Sequence, residues 1–498
     1  MGKSHSTIDT CAVTNATARS RLHALLLTVL AGVILFGNLH RGDLSGYDDA
    51  AYAYEAKQIL RTGRWWETRL NGHPDFDKPP VFVWLEATSM IVFGTTDLAA
   101  KFPSALLGLG VILLVYLLGR EMTEEFWPPL IAMFVILTTQ YFLKYATHAM
   151  TCVPFTFFFC LSLLAYLKGL KQPRYLILCG MALGLSTLTR SPLGLIPLAI
   201  VISHLLSQRK YHVLQSKQMI LCILLAVLLP AVWYVSQYMQ FGNRFLVEHL
   251  VNLGAHTSSS RFSITSMSLG LLQYPYLLLK HYWPWLPFAM LGVGLQLKRM
   301  IRERDVVACL LVLWVVMVLI PFSLAESKVL RYVMPIFPAL SLTAGLFIDD
   351  LVPPRFKPTG YRVAYIVTCI IAVSLLFFPS YRLRAEDMRK LAPIADAATS
   401  PEQRVLLYSF GERRWDYRNQ LIWYGNRLCD QTEDLEQVSS LLRCDPDAVV
   451  IVDKAALARL TTQIDLPLDT LGQSDNFVCL QRQRRSPSGP SGAKATTR

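Results

Sequence analysis

Charge is the scarcest property of this sequence: Asp, Glu, Lys and Arg make up only 17% of its 498 residues, whereas 53% are hydrophobic. With a mean hydropathy of +0.36, this balance excludes an ordinary soluble globular protein. Apolar runs of about 17 to 25 residues recur along the chain and match the length that a helix needs to cross a bilayer. They are too long and too uniformly apolar for barrel strands. We therefore expect a polytopic α-helical membrane protein.

The sequence also lacks close cysteine pairs and a convincing signal-peptide cleavage site. Six of the ten cysteines lie in or beside apolar runs, where we expect small core residues. Cys429, Cys444 and Cys479 fall in the tail, and one disulfide among them is an open alternative if the tail is periplasmic. We interpret the first apolar run, about 22–39, as an uncleaved signal anchor with the N-terminus inside.

The net charge of +13 comes mainly from Lys and Arg in the loops between apolar runs and in the tail. This distribution follows the positive-inside rule and argues against nucleic-acid binding. We expect the basic loop 298–304 to contact anionic lipid head groups on the cytoplasmic side.

The apolar runs predict about 12 to 13 membrane spans. After the first run, the candidate spans lie near 80–95, 102–119, 127–145, 150–169, 175–190, 191–207, 218–238, 270–297, 306–323, 330–349 and 363–379. The basic loops downstream of 171 indicate that the tail is periplasmic. Four crossings between 79 and 171 conflict with that orientation, so we expect a split, missed or re-entrant segment there.

The composition divides the chain into three parts. We assign 1–379 to a membrane domain, whose first periplasmic loop covers 40–79 and includes a helix near 50–62 that lies on the membrane surface. Short apolar runs alternate with polar helical stretches over 380–481, which predicts a small periplasmic α/β domain. The Ser, Pro, Gly and basic residues of 482–498 are typical of disorder.

Two acidic sites flank the first loop. Asp48 and Asp49 follow the first span, and Asp77 with Lys78 precedes the second, so both sites are expected at the same membrane surface. A carboxylate beside a low-dielectric boundary can have a proton affinity suited to a general base. Taken alone, an Asp pair in a loop is more often a solvated turn or a helix N-cap.

The ordered motifs of residues 40–345 resemble those of the GT-C glycosyltransferases, in particular the aminoarabinose transferases and the dolichyl-phosphate-mannose protein mannosyltransferases. The resemblance rests on YDDAAYAYEAKQIL, RTGRWWETRLNGHPDFDKPPVFVWL, FGTTDLAAKFPSALLG, LSTLTRSPLGLIPL, FLVEHL, PWLPF and ESKVLRYVMPIFPALSL. It implies a GT-C membrane fold with periplasmic surface helices and an enzyme that moves a hexose or pentose from a polyprenyl-phosphate carrier to a lipid A, protein or glycan acceptor.

The resemblance also implies roles for individual residues. Asp48, with Asp49 beside it, becomes the candidate base that deprotonates the acceptor hydroxyl for an inverting attack, with the lipid phosphate as leaving group. The implied donor-phosphate ligands are Lys78, Arg190, Arg261 and Lys328. The implied substrate- or metal-adjacent residues are Asp77, Glu248, His249, His148 and Tyr332. No cofactor is required, and a divalent metal held by Asp77 and His249 is an open alternative.

Each of these residues also has a structural interpretation. Lys78 can snorkel to lipid head groups, Arg190 can mark topology, and Lys328 and Tyr332 can cap a helix. Adjacent Glu and His residues on a surface helix are more often structural than metal-binding. The sequence departs from the family where Asp77 replaces a common Glu, Arg190 a common Lys, and His148 a common Asp, which suggests a member with its own acceptor.

Two other functions fit the same composition. A polysaccharide polymerase or ligase can share the membrane fold, and a secondary transporter also has many spans. The absence of an internal repeat and the concentration of charge in the outward loops favour the transferase. We expect it in a bacterial inner membrane, with its active site and C-terminal domain in the periplasm.

Overall fold

The computed structural model describes residues 4–37, 39–44, 48–255, 264–324, 328–377, 386–410, 414–464 and 466–483. The chain forms two compact units. The first comprises residues 1–41, 55–68 and 74–382, and the second comprises 42–54, 69–73 and 383–498. The two units are described separately below.

The first part of the chain is almost entirely helical. Its helices are α1 (Ser4–Phe36), α2 (Asp48–Thr62), α3 (Val81–Phe93), α4 (Asp97–Met122), α5 (Trp127–Leu137), α6 (Gln140–Ala146), α7 (Cys152–Lys171), α8 (Tyr175–Arg190), α9 (Ile196–Ser207), α10 (Tyr211–Leu214), α11 (Lys217–Phe241), α12 (Asn243–Ala255), α13 (Ile264–His281), α14 (Leu286–Arg302), α15 (Val306–Leu324), α16 (Ile336–Leu351) and α17 (Lys357–Phe377). Single 3-10 turns cover Ser191–Leu195, Leu330–Val333 and Pro354–Phe356. The strands β1 (Arg69–Leu70) and β2 (His73–Pro74) form a short hairpin.

Several of these helices are long and apolar enough to cross a membrane. Within the described residues, five helical segments meet that criterion, and up to seven do if each of two bent pairs counts as one span. The apolar stretches of α1 and α3 are shorter. The expected 12 to 13 spans exceed this number because many apolar runs are divided into short or bent helices. The chain is nonetheless a polytopic helical membrane protein.

The spans differ from the expected ones where the backbone breaks. The run 127–145 is broken into α5 and α6, which are bent by 67°, so the irregularity expected between 79 and 171 is present. The expected single span 270–297 is wrong, because α13 ends at His281 and α14 begins at Leu286. Pro284 and Pro287 lie at this break, and a proline cannot donate the backbone hydrogen bond that a continuous helix needs.

One apolar core runs through the first unit, and the large side chains Tyr166, Phe159, Trp314 and Phe337 are fully buried in it. Two of its buried polar side chains, Tyr166 and His204, satisfy each other. The Tyr166 hydroxyl lies 2.6 Å from Nδ1 of His204, and Nε2 of His204 lies 3.0 Å from a backbone carbonyl of α15. These bonds link α7, α9 and α15 and satisfy groups that would be costly to bury alone.

The second unit contains the α/β domain expected from the tail. Its elements are α18 (Glu386–Ala398), β3 (Val405–Tyr408), α19 (Arg414–Tyr424), β4 (Cys429–Thr432), α20 (Leu435–Cys444), β5 (Val449–Asp453), α21 (Lys454–Gln463), β6 (Leu468–Gln473) and β7 (Phe477–Arg482). The sheet order is β4-β3-β5-β7-β6, with β3 parallel to both β4 and β5. Alternate residues of the central strands face opposite sides, so the sheet has an apolar core on each face.

The disulfide considered for the tail is absent, because Cys429, Cys444 and Cys479 are all free thiols. Cys429 lies on β4 and Cys479 on β7, three strand positions apart. That separation is about 14 Å at about 4.8 Å per strand, whereas bridged Cα atoms lie within about 7 Å. Burial also raises the pKa of both thiols to about 12, which keeps them protonated and unreactive.

The helix expected near 50–62 is present as α2, and residues 50–56 are buried. Its position on the membrane surface stays a prediction. Tyr54 packs in a core of the second unit, which accounts for part of this burial.

Helices α14 and α16 pack closely at Gly292, and a substitution there tests this packing. A Cβ at Gly292 would collide with the backbone oxygen of Thr343 on α16, whereas a Cβ at Gly294 would meet nothing within 4 Å. We expect Gly292→Ala to destabilise the protein by about 1 to 3 kcal/mol through overpacking. Thermal unfolding of the detergent-purified protein measures this. Gly294→Ala is the matched control, and an equal loss in both variants would contradict the packing explanation.

Candidate functional site

The expected site residues fall in different units. Asp48 and Asp49 form the first turn of α2 in the second unit, where Asp48 is half-buried and Asp49 is buried. Acidic residues at a helix N-terminus also complement the helix dipole. Arg261 lies outside the described residues. The other candidates lie in the first unit, so their arrangement can be described directly.

The first-unit part of the loop is held against α11 and α12. The ring of Phe76 packs edge-on against Phe241 and Phe245, with centroid distances of 5.0 and 5.4 Å. Across the loop, the Asp75 N–H donates to the Thr68 carbonyl at 2.9 Å, and the Thr68 hydroxyl donates back to the Asp75 carbonyl at 2.7 Å. The two arms of the loop are therefore tied together just before Asp77.

Asp77 and Lys78 form an ion pair. Nζ of Lys78 lies 2.8 Å from Oδ1 of Asp77 and 3.3 Å from the Asp77 carbonyl oxygen. The Lys78 side chain is only 15% exposed. This geometry favours a cation held beside the loop over one that snorkels freely to lipid head groups.

Four carboxyl groups gather at the base of this loop, and we call Glu55, Asp75, Asp77 and Glu86 the carboxylate cluster. Glu55 is 3% exposed and hydrogen-bonds to Asp75. Burial, followed by the negative charge of Asp75, raises the pKa of Glu55 well above its usual value. A hydrogen bond between two carboxyl groups requires a proton on one of them, and the raised pKa favours Glu55 as the group that carries it. Oδ1 of Asp75 also accepts the Asp77 N–H at 3.0 Å.

Glu248 and His249 are adjacent in sequence, but the first side chain is exposed and the second is buried. Glu248 is exposed and pairs with Arg244 at 2.8 Å, whereas His249 is 4% exposed. Nδ1 of His249 lies 2.6 Å from the Phe76 carbonyl oxygen, and Nε2 lies 3.2 Å from the Tyr234 hydroxyl. Desolvation lowers the pKa of His249, so its imidazole is neutral. Successive helix residues point about 100° apart, which explains why the pair does not act as one unit.

The metal alternative gains no support from this geometry. In the part of the chain that the structure describes, no group of three or more His, Cys, Asp or Glu residues is arranged to hold a metal ion. Both ring nitrogens of His249 are already hydrogen-bonded, so it would have to give up one bond to become a ligand. Metal binding by Asp77 and His249 stays a prediction.

Arg190 lies at the centre of a second cluster. Arg190 is the last residue of α8 and is 6% exposed. Its Nη1 donates a hydrogen bond to the Thr151 hydroxyl at 3.0 Å, and its guanidinium group lies 4.9 Å from the centre of the Tyr332 ring. Arg331 lies 5.6 Å from the same ring. Two guanidinium groups beside one half-buried tyrosine form a site that favours an anion.

Tyrosines extend this arginine–tyrosine cluster, which we define as Arg190, Arg331, Tyr332, Tyr141 and Tyr145. The ring centroids of Tyr141 and Tyr145 on α6 lie 4.9 Å apart, and the two hydroxyl groups form a hydrogen bond. The side chain of Arg331 forms a hydrogen bond with Tyr145. Hydroxyl groups next to guanidinium groups suit a phosphate or a sugar, because they can both donate and accept hydrogen bonds.

Two further candidates lie near these elements. His148 is half-buried in the turn after α6, with Nδ1 2.7 Å from the Lys144 carbonyl oxygen and its ring 6.1 Å from that of Tyr145. Lys328 is half-buried just before the turn that carries Tyr332. The carboxylate cluster and Arg190 border the same apolar cluster, which contains both Phe76 and Leu188.

The sequence patterns did not point to Glu55, Asp75 and Glu86 in the first cluster, or to Arg331, Tyr141 and Tyr145 in the second. Glu86 carries a signal, because it is the one charged residue in the apolar helix α3. Arg331 stands next to Tyr332 in the motif. The tyrosines have no such signal, since their convergence depends on the bend between α5 and α6.

Several known proteins have sequences similar to this chain. A family model described as dolichyl-phosphate-mannose-protein mannosyltransferase matches residues 77–235. An undecaprenyl phosphate-alpha-4-amino-4-deoxy-L-arabinose arabinosyl transferase of Sodalis glossinidius is 25% identical over 358 residues, which are 66% of this chain and 60% of that protein. The protein of the same name from Aeromonas hydrophila is 23% identical over 368 residues, which are 68% of this chain and 63% of that protein. This chain therefore spans about three fifths of the length of these two relatives.

Solved structures share the fold. The structure of ArnT from Cupriavidus metallidurans in the apo state has a TM-score of 0.74 at 17% identity, and the match covers 92% of this chain and 97% of that one. An oligosaccharyltransferase of Archaeoglobus fulgidus has a TM-score of 0.55 at 14% identity, covering 89% and 71%.

The helical membrane unit, its polar clusters and the small sheet domain together define a polytopic membrane protein with the fold of the GT-C glycosyltransferases. Among these proteins, the chain resembles the aminoarabinose transferases.

The protonated state of Glu55 can be tested through stability. Its raised pKa means that the folded state keeps a proton that the unfolded chain releases above about pH 4.5, so the stability of the wild type falls as the pH rises past that value. Glu55→Gln retains a hydrogen-bond donor but cannot ionise. We expect the melting temperature of this variant, relative to the wild type, to rise between about pH 5 and pH 8.

The control for this series is Glu121→Gln, which removes an exposed ion pair with Lys171. Exposed pairs contribute little to stability, so we expect no comparable trend with pH. A Glu55→Gln variant whose relative melting temperature stays constant across the range would show that Glu55 is not protonated in the folded state.

Proposed function

We propose that this protein is a membrane glycosyltransferase that moves a sugar from a polyprenyl-phosphate carrier to an acceptor at the periplasmic face of a bacterial inner membrane. Asp48 acts as the base, with Asp49 beside it. The acceptor hydroxyl loses its proton to Asp48 and attacks the anomeric carbon with inversion, and the lipid phosphate leaves. The acceptor is lipid A, a protein or a glycan.

The observation that carries the proposal is the arginine–tyrosine cluster at the end of an apolar helix. A buried guanidinium in this position is costly unless an anion compensates it, and a polyprenyl phosphate presents its charged group at this kind of boundary. The leaving phosphate needs cations and no acid, because charge compensation alone stabilises its departure. Arg190 and Arg331 supply two such cations, and we assign Lys78, Lys328 and Arg261 to the same role.

The names of similar proteins support the same chemistry. The arabinosyl transferases carry undecaprenyl phosphate in their names, and the Cupriavidus protein was solved with undecaprenyl phosphate bound. We transfer the carrier class from these proteins to this chain. The sugar is left open.

A direct test uses Asp48→Asn, which removes the base without changing the size of the side chain. General-base catalysis contributes about 10²- to 10⁴-fold, so we expect a loss of that order in the transfer of labelled sugar from a panel of polyprenyl-phosphate sugars. Asp434→Asn is the control, because Asn also caps a helix well. Undiminished transfer by folded Asp48→Asn protein would exclude Asp48 as the base.

The phosphate-binding role of Arg190 predicts a different defect. Arg190→Gln keeps a donor for Thr151 but loses the charge, and a charge-assisted hydrogen bond is worth about 1.5 to 3 kcal/mol. We expect kcat/KM for the donor to fall about 10- to 100-fold, measured at varied donor concentrations. Arg174→Gln is the matched control, because Arg174 also lies over a tyrosine ring, 5.4 Å from the centre of Tyr175, but is exposed. Equal effects of both variants would argue against a donor-phosphate role.

The acceptor can be identified by mass analysis of envelope lipids, glycoproteins and glycans from cells with and without this protein. A change in lipid A alone would exclude protein glycosylation. Transfer of an oligosaccharide from a pyrophosphate carrier, in competition with the monophosphate donors, would favour the polymerase or ligase alternative. Uptake of a substrate without any lipid carrier would favour a transporter.

A further inference from the structure

The segment 42–54 lies far from the tail in sequence but belongs to the same compact unit. It carries Asp48 and Asp49 at the start of α2. The contacts that fix this segment within the second unit therefore decide where the two carboxylates lie in that unit.

The front of the segment is held at Leu44 by helix α19. Leu44 is fully buried, its backbone N–H donates to the Tyr424 hydroxyl at 3.1 Å, and its carbonyl oxygen accepts from Nε2 of Gln420 at 3.1 Å. Gln420 and Tyr424 are four positions apart, so they lie on one face of α19. Both polar groups of one buried peptide are thus satisfied by side chains of the tail, which fixes the backbone four residues before Asp48.

Helix α18 adds a second contact at the same end. Nη1 of Arg389 donates to Oδ1 of Asp43 at 2.6 Å, and the Arg389 guanidinium lies 5.8 Å from the centre of the Tyr424 ring. Asp43 is only 9% exposed, so this ion pair is shielded from water on one side. Two helices of the tail therefore meet at residues 43 and 44.

The rear of the segment is held by apolar packing. Tyr54 is 3% exposed and lies in the core formed by one face of the sheet with α18 and α19, among residues such as Leu391 and Ile451. Residues 48–54 are helical between the two fixed points. A helix fixed at one end by a buried ring and preceded by a fixed peptide has little freedom to shift.

The hairpin that follows α2 is bound to the same sheet. Nδ2 of Asn71 donates to the Cys429 carbonyl at 2.7 Å, and the Cys429 N–H donates to Oδ1 of Asn71 at 2.9 Å. Strand β4 is at the edge of the sheet, so this amide occupies the backbone groups that a neighbouring strand would use. Asn71 and Gly72 have φ values of 53° and 87°, as a two-residue hairpin turn requires.

We infer that the C-terminal α/β domain takes part in the transfer reaction by positioning the acidic pair, with Gln420 and Tyr424 as its positioning residues. The inference rests on the proposed function, because it gives the tail a role through Asp48. A general base must lie within hydrogen-bond reach of its proton, and a displacement of about 1 Å can cost about 10²-fold in rate. Tail contacts that fix residues 44 and 54 supply that accuracy without touching the substrate.

The experiment combines Gln420→Leu and Tyr424→Phe in the full chain. Both substitutions preserve most of the side-chain volume, and Tyr424→Phe keeps the ring that lies against Arg389, so the two hydrogen bonds to Leu44 are the main loss. We expect kcat to fall about 10-fold or more, with the KM for the donor unchanged. We also expect faster amide hydrogen exchange in residues 44–54, measured by mass spectrometry on the purified protein.

Asn476→Ala is the matched control in the same unit. It removes a side-chain hydrogen bond of 2.9 Å to Asp387 and therefore weakens the domain without touching Leu44. We expect this variant to keep the wild-type kcat and the wild-type exchange in residues 44–54. An equal fall of kcat in the control would overturn the inference, because general weakening of the domain would then explain both results.

The remaining outcomes are also decisive. Unchanged exchange in 44–54, or faster exchange with an unchanged kcat, would overturn the positioning role while leaving the proposed function intact. If Asp48→Asn transfers sugar at the wild-type rate, Asp48 is not the base and the positioning role is overturned with it, whatever the exchange data show about the contacts at Leu44. If the wild type transfers no sugar from any polyprenyl-phosphate donor, the proposed function itself fails. Should the double variant fail to fold, Tyr424→Phe alone is measured against the same expectations.

Discussion

The hydrogen bond between Glu55 and Asp75 is the constraint on which the described loop depends. Glu55 is buried among three other carboxyl groups, and burial followed by the charge of Asp75 raises its pKa, which favours the protonated form that this bond needs. Asp75 in turn accepts the backbone N–H of Asp77, and Asp77 holds Lys78. The position of a cation beside the loop is therefore supported by a chain of contacts through Glu55, Asp75 and Asp77.

The two units contribute different chemistry. The first has long apolar helices, and its arginine–tyrosine cluster lies where one of them ends at Arg190. Guanidinium groups in such a position attract anions, which suits the phosphate of a lipid carrier. The second unit carries Asp48 and Asp49 on a segment held by hydrogen bonds and apolar packing. The arginine–tyrosine cluster and the acidic pair of α2 therefore belong to different units.

Sequence patterns predicted the elements whose signal is local. The apolar runs indicated a helical membrane protein, the alternation in the tail indicated the small α/β domain, and the conflict of orientation between 79 and 171 indicated the break that is found between α5 and α6. The patterns failed where tertiary contacts decide. A single span over 270–297 is divided at its prolines, the tail cysteines are free thiols, and Glu248 and His249 face different surroundings.

By itself, the sequence determined that this protein resides in a membrane, because the hydrophobicity of each apolar run is a local property. The order of the motifs likewise identified the candidate residues Asp48, Asp77, Lys78, Arg190 and Tyr332. Only the tertiary structure decided which groups meet: Glu55 with Asp75, Arg331 with Tyr145, and Leu44 with Gln420 and Tyr424. Leu44 and Tyr424 are 380 residues apart, yet they are joined by one hydrogen bond. Such contacts depend on how whole elements pack, and no local pattern encodes that packing.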